Sequence, residues 1–259
     1  GLVQPDSVID THPYMLDGHR IRDVGYYPEL TMTGILQKSS DTGVSRLSLA
    51  MPVQHLIDTY RNFGFGTNTG LGLTGESAGL LPQRKFWSQL DRATFAFGYG
   101  LMVTPLQLAH VYATIGSFGL ERPLSITRID PPVMGRRVMS EAIAHEVEHM
   151  MESVALPGGG GVKAAVRDYR VAVKTGTAKK IDDSGKYVDK YVAYTAGVAP
   201  ASDPRFALVV VINDPQNGAY YGGAVSAPVF SEIMGNVLRL ENVRPDGLPA
   251  DSDHLIVMR

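Results

Sequence analysis

The chain has 259 residues, and its 44% hydrophobic content can fill the core of one large domain or two small ones. Lysine and arginine number 24 against 26 aspartates and glutamates, and no basic run carries interleaved aromatic residues, so a nucleic-acid partner is not expected. Cysteine is absent, which excludes disulfides and thiolate metal ligands. No apolar run approaches the roughly 20 residues that a membrane-spanning helix requires.

The first half of the chain is predicted to be mainly helical. Residues 1–31 are rich in glycine and proline, which indicates a surface segment of turns and short extended pieces. Pro52 predicts the start of one helix, and Thr104, followed by a proline, predicts the cap of another. A further helix is expected to begin at Ser140. Together these patterns predict a helical lobe over about residues 30–155.

The second half is predicted to supply a sheet and a closing helix, over about residues 165–240. After four glycines at 158–161 the sequence changes to β-branched segments separated by turn formers, and short connections predict an antiparallel meander. The three predicted strands are residues 169–177, 191–199 and 206–213. A helix follows from Ser226, with a predicted apolar face. That face comprises Val229, Ile233, Val237 and Leu240.

The first predicted strand carries Lys174-Thr175-Gly176-Thr177, the most informative segment of the chain. It places a cation, a glycine and two hydroxyls at a strand edge. This combination suits acyl transfer, because glycine permits close approach of a ligand, hydroxyls hold a carboxylate and lysine supplies positive charge. Taken alone, the tetrapeptide is explained equally well by an ordinary strand whose lysine extends to water.

Such a strand works together with a serine-containing loop and a nucleophilic S-x-x-K helix in one group of serine enzymes. Ser39-Ser40-Asp41 corresponds to the S-x-N loop, with aspartate in place of the usual asparagine. No serine in the chain is followed three positions later by a lysine. The S-x-x-K nucleophile is therefore missing, and two interpretations remain: a different kind of protein, or a fragment whose catalytic helix lies before Gly1.

A competing pattern is His-Glu-Val-Glu-His at residues 145–149, which matches the H-E-x-x-H pattern of zinc proteases. A helical projection places His145 and His149 opposite the apolar face, so we expect both to face solvent. No downstream segment resembles a third ligand with its supporting residues. We therefore predict a solvated helix face and no metal site. The apolar face comprises Ile143, Val147, Met150 and Val154.

Three further segments have less specific patterns. The glycines at 158–161 are not followed by Gly-Lys-Ser/Thr, so a mobile loop is a better prediction than a phosphate site. Tyr220 and Tyr221 precede two glycines and the closing helix, and would line a cleft beside the first strand. Tyr99 lies between two glycines. Taken alone, either tyrosine set is better explained by packing.

Taken in order, these elements resemble the transpeptidase domain of class B penicillin-binding proteins, especially the division-specific type 3 enzymes. The resemblance spans nearly the whole chain and rests on residues 38–45, 96–100, 103–109, 174–178, 197–200 and 220–230. It implies an α+β fold of the penicillin-binding transpeptidase and serine β-lactamase type. In that fold an antiparallel sheet is flanked by helices, a second lobe is all-helical, and the site lies between them. Residues 1–259 would then be a single, incomplete transpeptidase domain.

The resemblance also implies a function. In such enzymes a serine attacks the penultimate D-Ala carbonyl of a peptidoglycan stem peptide, and the amine of another stem resolves the acyl-enzyme to form a cross-link. Stem peptides would be the substrates, β-lactams the inhibitors and division-complex proteins the partners, with no cofactor. The full-length protein would be anchored at the periplasmic face of the bacterial inner membrane, whereas these 259 residues would be soluble.

Residue roles follow from the same resemblance. Ser39 would carry a proton toward the leaving amine, and Lys174 would hold that hydroxyl in a positive field. Thr175 and Thr177 would bind the substrate carboxylate, and the Thr177 N–H would form half of an oxyanion hole. Asp41 would keep an acceptor for the lysine of the nucleophilic motif while adding a negative charge. Further substrate-binding residues implied are Gly176, Tyr99, Tyr220 and Tyr221.

Without an S-x-x-K segment, the 259 residues on their own are expected not to react with penicillin. Two alternatives remain open at this stage. One is a non-catalytic peptidoglycan-binding module, and the other is a serine β-lactamase or penicillin-sensor relative on the same fold. The sequence upstream of Gly1 would distinguish an enzyme from a binding module.

Overall fold

The computed structural model describes residues 2–216 and 218–248. Residues 2–31 form two small antiparallel pairs, which agree with the predicted turns and short extended pieces. The outer pair joins β1 (Val8–Asp10) to β4 (Glu29–Thr31), and the inner pair joins β2 (Tyr14–Leu16) to β3 (His19–Ile21). Leu16 and Ile21 are buried against Ala93 of a later helix, so this segment is packed onto the body of the protein.

Six α-helices follow, interrupted by a two-residue strand pair. Thr104 and Ser140 cap their helices as predicted, each accepting a hydrogen bond from a backbone N–H of the first turn. The predicted helix after Pro52 is also present. The helices are α1 (Met32–Lys38), α2 (Asp41–Leu49), α3 (Val53–Asn62), α4 (Gln89–Phe95), α5 (Pro105–Gly116) and α6 (Glu141–Ala155). The strand pair is β5 (Leu120–Glu121) with β6 (Arg136–Arg137).

A three-stranded antiparallel sheet forms the second half, in the order β7-β8-β9. The strands are β7 (Ala172–Ile181), β8 (Tyr187–Ala199) and β9 (Phe206–Asn213), preceded by a 3-10 turn at Val162–Ala164. The predicted meander is confirmed, although the first strand begins three residues and ends four residues later than predicted, and the second begins four residues earlier. Within the described residues β7 is an edge strand, so its outer side is available for pairing with an extended ligand.

Helices cover both faces of this sheet. A short helix α7 (Gly222–Val225) leads into α8 (Ala227–Leu240), whose residues Phe230, Met234 and Leu238 are buried with Val173 of β7. On the opposite face Ile115 of α5 packs against the sheet. The predicted apolar face of α8 does not face the core, so this prediction is wrong. Its residues Val229, Ile233 and Leu240 are exposed, because an equally spaced set one position later contains the larger Phe230 and Met234.

The core around the sheet therefore has two parts, one on each side, in addition to the small cluster of Leu16, Ile21 and Ala93. This arrangement agrees with the predicted α+β fold of an antiparallel sheet flanked by helices. None of the helices in the described ranges is long and apolar enough to cross a bilayer.

Candidate active site

Lys174 and Ser39 meet across 135 positions of sequence. The Lys174 ammonium donates a 2.8 Å hydrogen bond to Ser39 Oγ and a 2.9 Å hydrogen bond to the Thr175 carbonyl oxygen. Lys174 lies on β7 and Ser39 lies between two helices of the first half, so this contact joins the sheet to the helical lobe. The structure thus brings together two residues that the sequence placed in separate motifs.

The segment that carries Ser39 is a tight junction of only two residues, Ser39 and Ser40, between α1 and α2. Ser39 ends α1 with a left-handed backbone, φ 56° and ψ 57°. Ser40 caps α2, because its hydroxyl accepts a 3.0 Å hydrogen bond from the Gly43 N–H. A left-handed conformation at a residue other than glycine costs about 1–3 kcal/mol and persists only where the surroundings impose it.

Lys174 and Asp41 shift each other's protonation. Burial lowers the pKa of Lys174 to about 8, and the Asp41 carboxylate opposes this shift. Burial, followed by the negative charge of Asp23, raises the pKa of Asp41 to about 6, and Lys174 acts in the opposite direction. A lysine whose pKa lies close to neutral is suited to exchanging a proton during a reaction. Asp41 is therefore a charge neighbour of Lys174 in the site.

The structure explains the glycine at position 176 differently from the sequence, which suggested the close approach of a ligand. It lies directly opposite Tyr194 in the β7–β8 register, and a Cβ atom at this position would overlap the Tyr194 ring. The tyrosine is half-buried, and its removal from solvent raises its pKa. Gly176 thus makes room for the aromatic ring of Tyr194 against β7.

Thr177 is attached to the start of α7. Its Oγ1 accepts a 3.0 Å hydrogen bond from the Gly222 N–H. Because one lone pair of the hydroxyl is used in this way, its hydrogen remains available for an anionic ligand. A Cβ atom at Gly222 would lie 2.5 Å from the Gly176 carbonyl oxygen, so glycine is required for α7 to approach β7 this closely.

The glycine-rich segment 158–161, predicted as a mobile loop, is packed between α1, α6 and β7. The Lys38 ammonium donates a 2.7 Å hydrogen bond to the Gly158 carbonyl, and the Gly160 N–H donates one of 3.1 Å to the Gln37 carbonyl. A Cβ atom at Gly160 would lie 3.6 Å from Thr175 Oγ1. The segment therefore connects the end of α1, immediately before Ser39, to the threonine side of β7.

The tyrosines lie further along the sheet. Tyr220 stacks on Tyr191 with ring centroids 4.1 Å apart, and Tyr221 is 4.6 Å from Tyr220. Tyr191 is paired with Lys179, two residues beyond Thr177 on β7. Among the described residues, no hydrogen bond joins this stack to Ser39 or Lys174. The stack forms an aromatic surface beyond the threonines.

Tyr99 contacts the N-terminal end of β8. Its ring lies edge-on to Tyr187 of β8 at 5.5 Å. Burial raises the pKa of Tyr99, with smaller contributions from Tyr187 and the Asp41 carboxylate. Tyr99 therefore lies within the electrostatic range of Asp41.

The competing zinc pattern is not supported. His145 and His149 have side chains 53% and 84% exposed, which confirms that they face solvent. In the part of the chain that the structure describes, no three His, Cys, Asp or Glu side chains are grouped so as to hold a metal ion. The buried member of the pattern is Glu148, which is 3% exposed and has an unpaired Oε1. Burial, followed by the charge of Glu152, raises the pKa of Glu148 to about 8.

Sequence analysis missed Asp23, which lies in the turn between β3 and β4. Its carboxylate accepts hydrogen bonds from Ser40 and Thr42 at the start of α2. The available signal was an acidic residue within a turn-rich segment, which carries no motif. Only the folded chain shows that this segment reaches the Ser39 junction.

The lysine lies on an edge strand, donates a hydrogen bond to a serine between two helices, and is followed by threonines. This arrangement is typical of penicillin-recognising serine enzymes. The family of penicillin-binding protein transpeptidase domains matches residues 1–235, and the chain belongs to that family.

Curated relatives and solved structures agree with this membership. The chain is 67% identical over 248 residues to the peptidoglycan D,D-transpeptidase FtsI of Escherichia coli K12, covering 96% of this chain and 42% of the relative. It is 40% identical over 238 residues to the probable peptidoglycan D,D-transpeptidase PenA of Neisseria gonorrhoeae, covering 92% and 41%. The chain thus spans less than half the length of these relatives.

Among solved structures, the transpeptidase domain of penicillin-binding protein 3 from Burkholderia pseudomallei is similar, with a TM-score of 0.90 and 38% identity. The match covers 95% of this chain and 76% of that one. A structure described as a peptidoglycan glycosyltransferase from Burkholderia ambifaria gives a TM-score of 0.87 at 36% identity, covering 95% and 75%. The predicted α+β fold is confirmed by these neighbours.

Proposed function

We propose that this chain is the substrate-binding and proton-transferring part of a peptidoglycan D,D-transpeptidase that cross-links stem peptides at the septum. The 2.8 Å hydrogen bond from Lys174 to Ser39 carries the proposal, because it places a lysine of lowered pKa against a hydroxyl at an edge strand. The names of the relatives, at up to 67% identity among those above, support the same reaction.

In the proposed reaction, a serine hydroxyl attacks the carbonyl carbon of the penultimate D-Ala. The C–N bond to the terminal D-Ala breaks, an acyl-serine forms, and the departing amine takes up a proton. The amine of a second stem then attacks the ester and releases the serine. No S-x-x-K occurs among the 259 residues, so the proposal takes the attacking serine from another part of the protein.

Ser39 is proposed to deliver the proton to the departing amine. Its oxygen accepts from the Lys174 ammonium, which leaves the Ser39 hydrogen free to point toward the ligand. When that hydrogen moves to the amine, Lys174 can replace it from the ammonium. A pKa of about 8 makes this second transfer far easier than it would be for an exposed lysine.

The threonines of β7 are proposed to hold the terminal carboxylate of the stem peptide. The Thr177 oxygen is already oriented by the Gly222 N–H, so its hydrogen is available as a donor. Thr175 lies on the same side of the strand, beside Gly160. An extended stem peptide would pair with the outer side of β7, and the aromatic surface of Tyr220 and Tyr221 would line its path beyond Thr177.

The proposal includes a location and partners. A protein that cross-links peptidoglycan during division acts at the periplasmic face of the inner membrane, in contact with other division proteins. β-Lactams would inhibit it by imitating the stem peptide.

The test uses the full-length protein with a pentapeptide donor and an amine acceptor. We expect cross-linked product and released D-Ala. A Lys174→Ala variant should lose at least about 100-fold in rate. Lys190→Ala, which changes an exposed lysine on β8, is the control and should retain wild-type activity. Absence of D-Ala release from the wild type would refute the proposal, and rapid hydrolysis of penicillin instead would indicate a β-lactamase.

A further inference from the structure

Asp23 accepts three hydrogen bonds from the start of α2. Its Oδ1 accepts one from the Thr42 N–H at 2.8 Å. Its Oδ2 accepts one from the Ser40 hydroxyl at 2.6 Å and one from the Thr42 hydroxyl at 2.9 Å. Ser40 and Thr42 are both buried, so water does not replace these bonds easily. The carboxylate also lies at the positive end of the helix, where a negative charge is favoured.

The junction that holds Ser39 has one anchor on each side. On the α1 side, Lys38 and the Gln37 carbonyl are bonded to the glycine-rich segment 158–161. On the α2 side the anchor is Asp23. Between them Ser39 has its left-handed conformation, in which the Ser39 and Ser40 N–H groups donate hydrogen bonds to the Leu36 and Ile35 carbonyls of α1. Its hydroxyl has Lys174 as its hydrogen-bond partner, which does not constrain the backbone.

We propose that Asp23 is a positioning residue, which fixes the start of α2 directly after the left-handed turn of Ser39 and so keeps the Ser39 hydroxyl at hydrogen-bonding distance from Lys174. This inference rests on the proposed transpeptidase function. Asp23 touches neither substrate nor Lys174, and it acts through the bonds to Ser40 and Thr42.

The limiting rate of acylation and the affinity for penicillin should depend on different residues. Ser39 and Lys174 are needed for proton transfer, whereas the carboxylate is bound by Thr175 and Thr177 on β7. Asp23 makes no hydrogen bond to β7 in the described residues. Loss of Asp23 should therefore lower the limiting rate of acylation and leave the dissociation constant of the preceding noncovalent complex unchanged.

The experiment measures acylation of the full-length protein by a fluorescent penicillin, over a range of penicillin concentrations, in rapid-mixing kinetics. Asp23→Ala should lower the limiting rate about tenfold or more, because small displacements of a reacting group have effects of this size. The dissociation constant of the noncovalent complex should change by less than about twofold, because the contacts that bind penicillin before it reacts are unchanged. Asp10→Asn is the control, an exposed aspartate in the same segment paired with Arg46, and should match the wild type in both quantities.

Asp23→Asn covers the case in which the alanine variant does not fold. It keeps the side-chain shape and one acceptor for the Thr42 N–H, and replaces the acceptor of the two hydroxyls. We expect its limiting rate to lie between those of the wild type and Asp23→Ala. A wild-type limiting rate in both variants, or in Asp23→Asn where the alanine variant is unfolded, overturns the inference. A loss expressed only in the dissociation constant also overturns it. A wild-type protein that is not acylated at all refutes the proposed function instead.

Discussion

Gly176 and Tyr194 face each other across β7 and β8, and the tyrosine ring occupies the space where any other side chain of residue 176 would begin. The packing of the Tyr194 ring against β7 therefore requires glycine between the two threonines. The same pairing fixes the position of β7 relative to β8, and with it the positions of Lys174 and Thr177 on either side of the glycine.

Gly176→Ala is expected to destabilise the protein by about 1–3 kcal/mol, the usual cost of overfilling a packed interior. The added methyl group would overlap the half-buried Tyr194 ring, so either the ring or the strand would have to shift. Thermal unfolding measures the effect. Gly160→Ala is the matched control. Its Cβ would lie 3.6 Å from its nearest neighbour, an ordinary contact, so a loss as large as that of Gly176→Ala would contradict the account.

Asp41→Asn is expected to lower the pKa of Lys174 further, because the Asp41 carboxylate is the group that opposes the effect of burial on that lysine. The limb of the acylation pH profile that reflects Lys174, near pH 8 in the wild type, should move to lower pH. Acylation rates of the full-length protein between pH 6 and pH 10 would show this. Asp58→Asn changes a half-exposed aspartate on α3 that is paired with Arg61, and should leave the limb in place. An upward shift in Asp41→Asn would contradict the electrostatic pairing.

The sequence predicted local structure well where the signal was local. The caps at Thr104 and Ser140 and the three strands of the meander follow from hydrogen-bonding side chains and from alternating apolar residues within a few positions. The pairing of Ser39 with Lys174 was available only through the resemblance, because 135 positions separate the two residues.

Features that depend on tertiary packing were not predictable in the same way. The choice between two equally spaced faces of α8 is made by the sheet that covers Phe230, not by the helix itself. The bond from Asp23 to the start of α2 requires knowledge of how the first 31 residues lie on the body. The role of Gly176 requires the strand register that places Tyr194 opposite it.

Thr177→Val is expected to leave the buried Gly222 N–H without an acceptor, at a cost of about 1–3 kcal/mol in the free energy of unfolding. The same change removes a donor proposed for the substrate carboxylate, so the dissociation constant of the noncovalent penicillin complex should rise. Thr177→Ser keeps the hydroxyl and should retain most of the stability and most of the affinity for penicillin. If serine and valine at this position behave alike, the hydroxyl has neither role.

The buried Glu148 carboxyl should give the protein an unusual dependence of stability on pH. Its folded-state pKa of about 8 lies above the ordinary value of 4.5, so the folded protein favours the protonated carboxyl. The protonated Glu148 carboxyl makes its full contribution to the free energy of unfolding below about pH 4.5. This contribution should be lost as the pH rises from there to about 8, so the free energy of unfolding should fall.

Glu148→Gln removes this titration, so its stability should fall less over that interval, by a difference on the order of 2 kcal/mol. Denaturant unfolding at pH 5 and pH 8.5 compares the two proteins. Glu146→Gln changes an exposed glutamate on the same helix and should retain the wild-type slope. Parallel pH dependence in the wild type and Glu148→Gln would show that burial of this carboxyl has no energetic effect.

We propose that these residues form the binding and proton-transfer side of a penicillin-recognising site, whose nucleophile lies elsewhere in the protein. The most direct measurement is to treat both the full-length protein and the 259-residue chain with a fluorescent penicillin and to locate the adduct by mass spectrometry of the peptides. We predict an adduct in the full-length protein, on a serine of an S-x-x-K segment, and none in the 259-residue chain. An adduct on Ser39, or on any other residue of this chain, would contradict the account.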